Sequence, residues 1–155
     1  MKEVKQERTG WRDKKISDRH REWGWNCPAV DIDFLLVEYD MNEPKGIVEY
    51  KNWATIGNVT GSTVSALKNL SDNAGLPFFS CIYRDDYSVF TVAPKNDLAK
   101  KYVKNTVDMS EIEWVRLLYK LRGRCLPSAI ENKLMTMSLQ KSTVLFNRFK
   151  SYGKN

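Results

Sequence analysis

The chain has 155 residues, of which 42% are hydrophobic and 28% charged, with a formal net charge of +6. That length supports one domain with a proper core and is short for two. No run approaches the roughly 20 apolar residues that cross a bilayer, the opening Met1-Lys2-Glu3-Val4-Lys5 starts no apolar signal segment, and the widely spaced Cys27, Cys81 and Cys125 suit neither a disulfide framework nor a zinc site.

A cytoplasmic protein with no membrane partner and with buried thiols is therefore expected. Charge is spread unevenly: residues 1–22 and 95–155 are basic, whereas residues 23–60 hold six carboxylates against Lys45 and Lys51. Basic ends around an acidic centre suit a protein that gathers carboxylates about a cation and holds a polyanion with lysines and arginines. They suit equally a chain whose ends only keep it in solution.

Taken in order, residues 11–22 predict a basic helix whose Lys14, Lys15, Arg19 and Arg21 are candidate contacts to a nucleic-acid backbone. His20 is a candidate phosphate contact, and Glu7 and Glu22 are candidate outer acids. Residues 30–37 read as a strand with Asp31, Asp33, Leu35 and Val37 on one face and Ile32, Phe34 and Leu36 on the other. A tight connection containing Asn42, Pro44 and Gly46 leads to a second strand over 47–51. There Glu49 and Lys51 share one face and Val48 and Tyr50 the other.

Ser62 or Thr63 caps a helix whose apolar stripe is Val64, Leu67, Leu70 and Ala74, with a stop at Gly75. Residues 78–83 and 87–92 read as a hairpin, and Asp85 and Asp86 belong to its turn. A short basic helix is expected over 97–103. Ser110-Glu111-Ile112-Glu113 matches a capping box that opens a helix with Trp114, Leu117, Leu118 and Leu121 inward, ending at Gly123. Arg122 and Arg124 lie off that stripe and are further candidate nucleic-acid contacts. Another helix is expected over 127–139, and the tail from Lys141 mixes bases with aromatic rings.

Strand pairing would bring one carboxylate from each of the first two strands to a single hard cation, beside an amine. Magnesium takes oxygen ligands, keeps several waters and commonly uses one or two protein carboxylates. A neighbouring ammonium can orient a water or stabilise a developing oxyanion, which is the chemistry of metal-dependent phosphodiester hydrolysis. The plain alternative is a solvated strand face with a cross-strand ion pair.

At Asp33-Phe34-Leu35-Leu36 and Glu49-Tyr50-Lys51 the chain resembles the PD-(D/E)xK nuclease superfamily, which places an aspartate on one core strand and Glu-x-Lys on the next. The resemblance covers about residues 20 to 95. It implies an α/β fold, with a small mixed central sheet flanked by helices, restriction-endonuclease-like, here extended by C-terminal helices. It also implies Asp33 and Glu49 as metal ligands, the Tyr50 backbone carbonyl as a third, Lys51 as the water-positioning catalytic lysine, and Mg²⁺ as the cofactor with Mn²⁺ as a substitute. The family's aspartate often follows a proline, whereas Ile32 precedes Asp33 here, which leaves Asp31 as a rival ligand.

One domain over 1–155 is thus expected, with a basic helical segment at 1–22, a catalytic core at 23–95 and a basic helical part at 96–155. The expected activity is Mg-dependent endonucleolytic hydrolysis of DNA, with branched DNA as one candidate substrate and a homodimer as one candidate assembly. A non-catalytic nucleic-acid-binding protein of the same fold and a small interaction domain are the alternatives.

Overall fold

Apolar side chains on both sides of Ile47 and Val48 require cover on both faces of their strand, and the fold supplies it with helices. The computed structural model describes residues 14–23, 32–38, 40–55 and 62–152. The first helix is α1 (Lys14–Glu22), followed by an antiparallel hairpin of β1 (Phe34–Glu38) and β2 (Glu43–Asn52). Helix α2 (Ser62–Ala74) then crosses to β3 (Phe78–Tyr83), which lies parallel to β2, as a crossover of that length permits. Strands β4 (Phe90–Pro94) and β5 (Val107–Met109) add antiparallel in turn, giving a mixed sheet of order β1-β2-β3-β4-β5. The short α3 (Asp97–Lys100) separates β4 from β5, and α4 (Glu111–Leu121) and α5 (Ser128–Tyr152) complete the chain.

Alternation along β2 and β3 divides the core in two. Val48 and Tyr50 face Phe79, Cys81, Val92 and the stripe of α4, with Trp114, Leu117 and Leu121 buried. Ile47 and Phe78 face the other way, onto Leu67 and Leu76 at α2. Cys81 lies in the first cluster, where burial pushes its thiol up to about 12. Cys125 departs from the expected buried thiols, since it is exposed in the link between α4 and α5.

Local signals set several boundaries. Ser110 caps α4 through the reciprocal box with Glu113. Gly75 and Gly123 adopt φ of 68° and 70°, which an L side chain resists, and close α2 and α4 with paired backbone hydrogen bonds such as Leu76 N–H to the Ser71 carbonyl at 2.8 Å. The β1–β2 connection departs from expectation. Its turn is at residues 40–42, with Asn42 at φ 53°, and Pro44 and Gly46 lie inside β2. Pro44 pairs with Val37 where the register shifts, a place where a missing N–H is tolerated. On α2, Leu70 is 45% exposed and Ser71 is buried in its place, its hydroxyl donating to the Lys68 carbonyl at 2.9 Å.

Asn96, 2% exposed, joins three elements. Its Oδ1 accepts from Phe78 N at 3.1 Å and from Ala99 N at 2.9 Å, capping α3. Its Nδ2 donates to the Leu76 carbonyl at 2.8 Å and to Asp72 Oδ1 at 3.0 Å. Truncation would leave several of these groups without a partner. Asn96→Ala is expected to cost about 3 kcal/mol of stability, seen as a lower urea midpoint with unchanged slope.

Candidate active site

The site grows from the side of β2 opposite the α4 core. Tyr50 is fixed by aromatic packing: its ring meets Phe34 edge-on at 5.1 Å and Trp114 at 6.1 Å, and its hydroxyl accepts from Trp114 Nε1 at 3.0 Å. Burial raises the Tyr50 phenol well above its ordinary value, so it stays neutral. With Tyr50 held on that face, strand geometry sends Glu49 and Lys51 to the other.

Asp33 sits one residue before β1 and closes the group from across the hairpin. The Tyr50 N–H donates to its Oδ2 at 3.1 Å, and Lys51 Nζ lies 4.0 Å from the same oxygen. Lys51 Nζ also donates to Glu49 Oε1 at 2.5 Å. The three residues predicted as the reactive set are therefore gathered round one ammonium. Glu49 is 4% exposed, and its second oxygen, Oε2, is buried without a hydrogen-bond partner among the described residues.

Electrostatics follow from this packing. The hydrogen bond to Glu49 holds the Lys51 amine above the ordinary lysine range; burial opposes that, and the charges of Glu49 and Asp33 reinforce it. Lys51 is accordingly a cation and a donor at neutral pH, not a base. A buried carboxylate oxygen with no donor is costly to keep, and a cation is the ligand that relieves that cost best.

The donor set suits a hard divalent ion. Asp33 and Glu49 supply carboxylate oxygens, and strand geometry turns the Tyr50 carbonyl to the same edge as its N–H, beyond the Phe34–Val48 pair at the start of β1. Two carboxylates, a carbonyl and waters are a common magnesium set. Among the described residues no group of three or more His, Cys, Asp or Glu side chains converges on one point. Asp31, Glu7 and Cys27 lie outside the described residues, as do the side chains of Lys14, His20 and Arg21.

Elsewhere the candidate bases are divided. Lys15 and Arg19 are exposed on α1, where Arg19 pairs with Glu22 at 2.7 Å. Arg122 Nε and Arg124 point instead to Glu38, at 3.1 and 3.3 Å, and Arg124 also reaches Asp40 at 3.2 Å. Sequence reading gave no sign of this clamp, because Glu38 and the arginines are far apart in the chain. It also passed over Trp53 and Arg84, which stand just beyond Lys51; the exposed indole after Glu-x-Lys was the available signal. Asp85 and Asp86 belong to the β3–β4 turn, and Asp86 accepts from Ser88 N at 3.0 Å.

No helix among the described residues is long and apolar enough to cross a membrane. No family model matches the chain, and no curated protein or solved structure is significantly similar to it.

The Glu38 clamp carries a pH signature. Burial pushes this carboxyl, 1% exposed, up, but Arg122 and Arg124 outweigh burial and hold it below its ordinary 4.5. A depressed folded-state pKa gives stability that is fully present above the unfolded value and is lost as pH falls through the folded one. Glu38→Gln should therefore lower the melting temperature at pH 7 and make its fall between about pH 5 and pH 3 shallower, as checked by thermal melts across that range.

Proposed function

We propose that this protein is a divalent-metal-dependent phosphodiester hydrolase acting on DNA, in the manner of the PD-(D/E)xK nucleases that Asp33 and Glu49-Tyr50-Lys51 resemble. The observation that carries the reading is the buried Glu49 Oε2, without a hydrogen-bond partner among the described residues, beside Lys51 and Asp33. Asp33, Glu49 and the Tyr50 carbonyl would hold Mg²⁺, or Mn²⁺ in its place. Such an ion lowers the pKa of bound water and offsets phosphate charge. The restriction-endonuclease-like assignment of the fold belongs to the same proposal.

The chain's own groups have distinct tasks. Lys51 keeps one proton on Glu49 Oε1 and has two others for a water or a phosphate oxygen, so the nucleophile can be aligned by a donor fixed on a strand. Asp33 is positioned through the Tyr50 N–H, which ties its carboxylate to the strand that bears Glu49 and Lys51. Two acids without Lys51 would repel the phosphate diester. Exposed Lys15 and Arg19 on α1, with Lys14 and Arg21 beside them in sequence, would meet the DNA backbone.

One observation favours a binding-only reading. The Lys51–Glu49 contact at 2.5 Å already satisfies half of that carboxylate, as an ordinary ion pair would. Salt-sensitive DNA binding by a protein that never cuts would select it.

With duplex, single-stranded and branched DNA assayed side by side, cleavage of at least one should appear with Mg²⁺ or Mn²⁺ and vanish with EDTA. Lys51→Ala, Glu49→Gln and Asp33→Asn should each lower the rate at least about 100-fold. Glu49→Gln removes a buried charge but also the ion partner of Lys51, so thermal melts of this variant alongside the assay separate lost catalysis from lost folding. A folded wild type that cuts nothing, or full activity in the Glu49 and Lys51 variants, would sink the proposal.

A further inference from the structure

Just past the Glu49–Lys51 face, β2 ends in a polar turn that leaves a large aromatic ring at the surface. Asn52 Oδ1 accepts from Ala54 N at 2.8 Å, and this turn starts a short 3-10 helix, Trp53–Thr55. The Asn52 side-chain amide also donates to Asp85 in the β3–β4 turn. Strand β2 pairs with β3 up to Asn52 opposite Tyr83, so one further step sets Trp53 beside Arg84. The Arg84 guanidinium lies 5.6 Å from the centre of the indole ring. Trp53 remains 57% exposed, more than any other tryptophan among the described residues.

Leaving a large aromatic surface in water is unfavourable, and here the ring contributes nothing to either core cluster. A guanidinium over the ring and more than half of the side chain open to solvent make a platform for a flat group, and every nucleobase presents such a face. Two residues, about 7 Å of extended chain, separate Trp53 from Lys51. In a duplex each base is already covered above and below by its neighbours. Only an unpaired nucleotide can offer its face to Trp53.

We infer that Trp53, backed by Arg84, stacks on an unpaired base next to the phosphate presented to Glu49 and Lys51, so that single-stranded segments of nucleic acid are the bound form. The inference rests on the proposed hydrolase only for what the Glu49–Lys51 face does to the neighbouring phosphate. Stacking itself needs no cleavage. Asp85 and Asp86 close to Arg84 limit the positive charge there, so base contact, not bulk electrostatics, must supply the affinity.

Fluorescence anisotropy at low salt with EDTA tests this without cleavage, using labelled oligothymidylate, an abasic strand of the same length and a duplex. Trp53→Ala should weaken oligothymidylate binding on the order of 10-fold, the loss of one stacked base, while Trp53→Phe keeps most of the affinity. Binding to the abasic strand and to the duplex should be the same for wild type and Trp53→Ala. Equal affinities of wild type and Trp53→Ala for oligothymidylate would overturn the inference. So would a parallel loss on all three probes, or a wild type that does not bind oligothymidylate. If these differences hold and no metal-dependent cutting is found, the hydrolase reading fails alone; if cutting is found and the Trp53 variants bind normally, the stacking fails alone.

Discussion

The hydrogen bond from Trp114 to the Tyr50 hydroxyl, with the ring contacts around it, fixes which way β2 faces. A strand has a period of two, so anchoring Tyr50 in the α4 core settles the positions of Glu49 and Lys51 with no further interaction. A slip of one residue would drive both charges among Phe79, Val92 and Trp114 and leave Tyr50 on the acidic face. Specification of this register by apolar burial is therefore also specification of the site. Glu49 and Lys51 thus inherit their geometry from the α4 core on the opposite face of the strand.

Glu49 then stands out as a residue whose burial the fold tolerates and does not need. Stability alone would favour an apolar side chain at that position, next to buried Ile47 and opposite buried Ser80 of β3. Lys51 compensates one of its oxygens, and the other is left without a protein donor among the described residues. Glu38 is a useful contrast. It is at least as deeply buried, yet both of its oxygens are met by arginines, which is how a carboxylate with a structural role is finished.

Local chemistry was the readable part of the sequence. The two-residue spacing of Glu49 and Lys51, the Ser110–Glu113 capping box and the stops at Gly75 and Gly123 each depend on a few adjacent residues, and each is found in place. What escaped reading depends on distant partners or on very short segments. Strand β5 has three residues, too few for alternation to show. Arg122 and Arg124 looked free because nothing near them in sequence announces Glu38. Leu70 matches the apolar stripe of α2 by spacing, whereas the helix turns Leu67 and Ser71, four apart, toward the sheet. Helix α5 continues to Tyr152, well past the expected end at 139, and most of its side chains up to Gln140 are exposed, so apolar periodicity does not mark its end.

The two pairings of β2 differ in what each requires of a collapsing polypeptide. Joining β1 to β2 closes only a short loop, so the meeting of Asp33 with Tyr50 and Lys51 lies within one local hairpin. Joining β2 to β3 in parallel needs the whole α2 crossover, and it is this pairing that sets Ser80 beside Glu49. Proximity of Glu49 to its ammonium neighbour is therefore set by two-residue spacing within one strand, whereas its burial depends on a pairing that spans the whole of α2. Loosening the α2 crossover would rehydrate the carboxylate without separating it from Lys51.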